Sequence, residues 1–166
     1  MTIASRALAS ARYAKEQVTA YYLAQEGIEL VRAIRDGKTL IDPPLHLNEN
    51  EGSQPWIGDP GQVNLCYSTE GCTINSINMT VRSCNSFSPA SSCGLLSIDG
   101  NGFYVDTVGS SSGYYRVIKI KMISNEGNPN GGDNEAVITS TVTWQSSVVG
   151  GVKSVVVVDH LTKWQQ

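Results

Sequence analysis

A chain of 166 residues with a formal net charge of −3 has the length of one domain and enough material to bury a core. Charged residues make up only 16% of it, with an acidic pI near 5.3, which argues against nucleic acid as a partner. The sequence holds two histidines, His46 and His160, and no Gly-x-Ser-x-Gly elbow, so no catalytic residue is assigned. No stretch reaches the roughly 18 apolar residues of a membrane-spanning helix, and no signal peptide opens the chain.

Residues 4–35 read ASRALASARYAKEQVTAYYLAQEGIELVRAIR. Strong helix formers dominate, no proline interrupts, and Gly27 is the single glycine, which predicts one helix about 45–50 Å long. Asp36-Gly37 offers a C-terminal stop, because glycine readily takes the left-handed cap conformation. At about 100° per residue the two halves carry apolar faces on nearly opposite sides. Ala20, Leu23, Ala24, Gly27, Leu30, Val31 and Ile34 form one stripe, fit to cover a sheet. Ala4, Ala7, Ala11, Ala14, Val18 and Tyr22 form the other, a small-residue seam that suits close approach by a second helix. A solvated helical extension has the same composition.

The chain divides at the helix end, residues 1–37 against a globular region 38–166. Residues 38–61 hold Pro43, Pro44, Pro55 and Pro60 and read as connecting loop, pinned by Leu40, Ile41, Leu45, Leu47, Trp56 and Ile57. Residues 63–67 read as a short strand, 73–81 as a weakly alternating one, and 83–92 as a Ser-rich loop. Four cysteines, Cys66, Cys72, Cys84 and Cys93, sit within residues 66–93. Their C-x5-C and C-x8-C spacings are not the C-x2-C knuckles of zinc sites. An even count in a polar loop region reads as two disulfides and an oxidising compartment. Three pairings are possible, with Cys66–Cys72 and Cys84–Cys93 expected; the competing reading is four reduced, buried thiols. Disulfides without an export signal lead to the expectation of a natural N-terminus upstream of Met1.

In the second half, residues 95–98 and 103–106 flank Asp99-Gly100, a type I′ hairpin signal. Residues 114–123 alternate, with Ile118, Ile120 and Met122 on one face and Lys119 and Lys121 on the other. Residues 125–134 are a polar loop. Residues 136–146 put Ala136, Ile138, Val142 and Trp144 inward and Thr139, Thr141 and Thr143 outward, and Gly150-Gly151 turns the chain into residues 152–159. These three strands predict an antiparallel meander. The valine run 155–158 reads as a strand buried on both faces or covered by Leu161 and Trp164; left at an edge it would be an aggregation hazard. The fold class is therefore α+β, a long N-terminal helix packed on an antiparallel sheet.

Asp99, Asn101 and Asp106, and separately Asn125, Glu126, Asn128, Asn130, Asp133 and Glu135, offer hard oxygen ligands for calcium. Neither group completes an EF-hand loop, and turns favour the same residue types, so no metal or cofactor is assigned. Asn78-Met79-Thr80 fits the N-glycosylation pattern by chance, and His160 beside Asp159 reads as a sheet-end residue.

YYLAQEGIELVRAIRD, residues 21–36, resembles the helix that follows the membrane segment in bacterial type IV pilin-like and type II secretion pseudopilin-like proteins. The C-terminal ITSTVTWQSSVVGGVKSVVVVDHLTKW resembles the same group, and LLSIDGNGFYVD and YYRVIKI fit its intervening strands. The resemblance implies a pilin-like fold and a structural filament subunit. It also implies an upstream leader and a further apolar segment of about 20 residues holding the subunit in the inner membrane before assembly. The partners implied are other pilin or pseudopilin subunits, and the place is the bacterial cell surface or periplasm. The stripe Ala4, Ala7, Ala11, Ala14, Val18 and Tyr22 is then the filament-facing surface. Some pseudopilins bind calcium in a loop near the C-terminal strands, which would correspond to residues 125–135. The alternative function is a secreted binding module, adhesin-type or carbohydrate-binding, using Trp56, Tyr67, Phe87, Tyr114 and Tyr115 as an aromatic platform.

Overall fold

The computed structural model describes residues 3–41, 57, 63–86, 93–106, 109–123 and 135–162, and of 37–41, 63, 64 and 86 the backbone alone. One helix, α1 (Ile3–Ile41), precedes seven strands: β1 (Cys72–Ile74), β2 (Val81–Ser83), β3 (Leu95–Ile98), β4 (Tyr104–Val105), β5 (Ser110–Ile123), β6 (Glu135–Gln145) and β7 (Val152–Thr162). The architecture is α+β, as expected. The helix does not stop at Asp36-Gly37 but runs through it to Ile41. A helical glycine costs only about 1 kcal/mol.

All seven strands belong to one antiparallel sheet. The expected meander is its centre: β5 pairs with β6 from Tyr114↔Trp144 to Ile123↔Glu135, and β6 with β7 from Glu135↔Thr162 to Gln145↔Val152. Gly150 and Gly151 make the β6–β7 turn with φ of 67° and 74°, a left-handed pair that side chains resist. The other side of β5 is shared. β1 pairs with it at Ile118, and β3 pairs with it between Ser110 and Tyr115.

Four local expectations are corrected. Residues 63–67 form a 3₁₀ helix rather than a strand, closed by the Ser68 hydroxyl donating to the Leu65 carbonyl at 3.2 Å. Residues 73–81 are not one strand but the β1–β2 hairpin. The Asn75 carboxamide oxygen accepts from the Ile77 and Asn78 amides at 2.8 and 3.2 Å, and such Asx geometry competes with an extended chain. The β3–β4 turn is a three-residue loop rather than a type I′ turn. Asp99 and Phe103 close it, Gly102 takes φ 86°, and the Asp99 carboxylate accepts from the Asn101 and Phe103 amides, each at 2.9 Å. The valine run of β7 is not buried on both faces. Val155 and Val157 turn half-buried toward the helix, while Val156 and Val158 are each 54% exposed. Among the described residues β7 hydrogen-bonds only to β6, so the run is an edge strand; Trp164 lies outside them.

Helix α1 lies on the inner face over β5, β6 and β7. Ala20, Leu23 and Ala24 pack with Leu96, Val142 and Trp144. Ile28, Leu30 and Val31 pack with Ile74, Ile118, Ile120, Ile138 and Leu161. The stripe read from periodicity is the buried one, with Ile34 at its margin and Ile28 added to it. The cysteines bond as Cys66–Cys72 and Cys84–Cys93, tying the β1–β4 side of the sheet to its connections. Ile57, fully buried, reaches the same core; the remaining loop anchors, Leu40, Ile41, Leu45, Leu47 and Trp56, lie outside the described side chains.

Candidate functional site

The helix changes character at Glu16. Up to that residue no side chain of α1 is buried, and Ile3 and Leu8 stand 89% and 54% exposed. Ala4, Ala7, Ala11, Ala14, Val18 and Tyr22 are all exposed. They lie on the face turned away from Ala20, Leu23 and Ala24, because a rotation of about 100° per residue carries the two stripes apart. The expected interface residues therefore form one continuous strip of mainly small side chains along an unburied helix.

Glu16 is the first residue that holds the helix to the sheet. Its carboxylate accepts from the Ser147 hydroxyl at 2.7 Å, the Ser146 hydroxyl at 2.8 Å, and the Trp144 indole and Ser147 amide at 3.3 Å each. The Ser147 and Ser146 hydroxyls lead in holding this carboxyl below the usual carboxylate range, against the opposing effect of burial. Beside it Tyr114 donates to the Glu16 carbonyl at 3.3 Å and stacks at 6.0–6.1 Å between Trp144 and Tyr104. Burial, then the neighbouring acidic groups Tyr104 and Glu16, push the Tyr114 phenol up.

The second anchor was not read from the sequence. Arg116 is fully buried on the inner face of β5. Its guanidinium donates to Glu26 at 2.6 Å, to the Leu23 carbonyl at 3.2 Å and to the Ile74 carbonyl at 3.3 Å. One side chain thus joins helix, central strand and β1. Gly27 sits directly above it, and a Cβ there would run into the Ser140 hydroxyl and approach Arg116 Cδ to 3.2 Å. Missing side-chain bulk lets the helix descend onto β5 and β6. The signal was available: Arg116 occupies the inward register of Ile118, Ile120 and Met122, and a charge at an inward position requires a partner.

A third anchor ties the helix to the edge strand. Arg32 donates to Asp159 at 2.7 Å and to Glu29 at 2.7 Å, and Asp159 chiefly raises the pKa of this guanidinium. The Glu29–Arg32 pair, three residues apart on the helix, is one arm of this group.

Other candidate groups do not converge. Asp99 spends its carboxylate on its own turn, and backbone donation led by Phe103 lowers its pKa. Asp106 is buried and pairs with Arg82, also accepting from the Thr73 hydroxyl at 3.0 Å. The two acids thus serve separate hydrogen-bond sets, and neither presents a free oxygen cluster to calcium. Residues 125–134 and His46 lie outside the described residues, while Glu135 contacts His160 Nδ1 at 2.6 Å. Of the five aromatic platform residues, three lie among the described residues and they do not share one face. Tyr114 faces the helix and Tyr115 the opposite side of the sheet, as strand alternation requires, and Trp56 and Phe87 lie outside the described residues. Tyr115 and Tyr67 instead line two separate open troughs of about 420 and 430 Å³ on the outer face.

Among the described residues, no helix is long and apolar enough to cross a membrane, and no group of three or more histidine, cysteine, aspartate or glutamate side chains is placed to hold a metal ion. Comparison with family models, curated proteins and solved structures found no match to this chain.

Proposed function

We propose that this chain is the globular part of a structural subunit of a type IV pilus- or pseudopilus-like filament, assembling through its N-terminal helix with other such subunits. One observation carries the reading. The helix is 39 residues long, yet its buried stripe begins only at Ala20, leaving more than four turns outside the domain's own core. A domain that used its helix solely to cover the sheet would need little before Glu16. The bare strip is rich in alanine, which permits close helix–helix approach where larger side chains would hold the axes apart. The resemblance at residues 21–36 points to the same use, with a further apolar segment upstream as anchor and a place at the bacterial cell surface or periplasm. The disulfides fit an oxidising compartment of that kind.

The test is Ala11→Glu in the full-length protein of the native cell. The expected outcome is a folded, stable subunit and no filaments by electron microscopy, because a carboxylate enters the helix seam. Filaments of normal number and length from this variant would remove the reading.

A further inference from the structure

The β7 strand carries eleven residues, VKSVVVVDHLT, and among the described residues its outer side lacks a neighbour. Every second backbone group on that side offers a donor or acceptor to a further strand. Edge strands in native proteins are ordinarily blunted by prolines, bulges or charges, and this edge carries charges only toward its two ends, at Lys153 and Asp159. Here the central four residues are valines, and no irregularity interrupts the β6–β7 register.

We propose that this edge pairs with the β7 edge of a second copy of the chain, antiparallel about a two-fold axis at Val156. In such a pair, residue i faces residue 2c − i of the other copy, where c is the residue on the axis. The strand has one lysine, Lys153, and one carboxylate, Asp159, both on the helix-facing side, while His160 lies on the outer register beside Glu135. Only c = 156 sets Lys153 opposite Asp159 of the second copy, and the symmetry makes that ion pair twice. The same register places Val155 against Val157 on the inner face and Val156 against itself on the outer. Asp159 already accepts from Arg32 and keeps 29% of its side chain exposed, so it can take a second cation. Shifting the axis by one residue sets Lys153 opposite Val157 or Leu161 and leaves it without a carboxylate across the axis, while Asp159 keeps only Arg32. Charge and apolar pattern thus select one register.

This pairing goes beyond the filament reading and does not rest on it. A two-fold at Val156 lays the two helices antiparallel on one face of a continuous sheet. It therefore joins chains of opposite polarity, as in two filaments lying side by side, and not neighbours that share one membrane anchor direction.

Cysteine cross-linking tests the register. Directly opposed Cβ atoms lie about 4.5–5.5 Å apart, close to the span of a disulfide. Val156→Cys should give a covalent dimer under mild oxidation. Val152→Cys is the control: it is more exposed, 72% against 54%, but the two copies of residue 152 would lie roughly 27 Å apart. Several-fold more cross-linked dimer from Val156→Cys supports the pairing, whereas equal yields, or more from Val152→Cys, overturn it. By sedimentation the chain should dimerise at up to about 1 mM, and Lys153→Glu should weaken the dimer at least about tenfold. A chain that stays monomeric, or a Lys153→Glu variant that dimerises equally well, also overturns it. Neither outcome touches the Ala11→Glu filament test.

Discussion

The two halves of α1 share the same regular backbone, yet have opposite relations to the rest of the molecule. From Glu16 onward the helix is fastened at three levels: the Glu16 carboxylate on the β6–β7 turn, Arg116 and Gly27 at the middle of the sheet, and Arg32 on the edge strand. Before Glu16 no side chain is buried. The difference lies in where large apolar residues fall around the helix, not in helix propensity. Leu23, Ile28, Leu30 and Val31 bury their side chains, at about 1.5–3 kcal/mol each as an upper bound, while the alanines of the first half have little to bury.

Arg116→Ala is the strongest way to break this comparison. It leaves the Ile74 carbonyl without its guanidinium donor and Glu26 without its cation, and should cost about 3–5 kcal/mol in chemical denaturation. A loss below about 1 kcal/mol would mean that packing alone docks the second half. Gly27→Ala comes next. The added methyl forces apart the helix and the Ser140–Arg116 layer, at an expected cost of about 1–3 kcal/mol, although alanine is the better helix former. A raised melting temperature would show that the close approach is slack.

Glu16→Gln should cost about 1 kcal/mol near neutral pH, reduced by the partial exposure of the site. The pH dependence has a definite sign. Because the folded-state pKa is lowered, the contribution is present above the ordinary carboxylate value of 4.5 and is lost as pH falls through the lower folded value. The stability gap between the parent and Glu16→Gln should therefore close on acidification below about pH 4, measured by denaturation at a series of pH values. A gap that widens in acid would contradict the hydrogen-bonded carboxylate. Smallest is Ala11→Glu, which should change the domain's own stability by no more than about 0.5 kcal/mol, since the residue is exposed. A larger loss would show that the first half is not bare.

Much of this was legible beforehand. A 3.6-residue period separates the two helix stripes in any setting, and a two-residue period separates Ile118 from Lys119 and Val142 from Thr143, because side-chain direction follows backbone geometry. Short segments were less legible. Residues 63–67 and 73–81 are apolar enough for strands, but the Ser68 and Asn75 side chains bond locally and turn them. The valine run of β7 left buried, covered and edge placements open, because hydrophobicity records what a strand tolerates, not whether a neighbour is present.

The sequence alone determined the helix, its sheet-facing stripe, the meander and the α+β class, since these follow from periodicities local in the chain. Tertiary structure decided the rest: that Arg116 meets Glu26 across 90 residues, that Gly27 lies over Ser140, that Glu16 accepts from Ser146 and Ser147, and that β7 is an edge. Each of these joins residues far apart in sequence. Such contacts depend on strand order and on the angle at which the helix crosses the sheet, which no local pattern encodes.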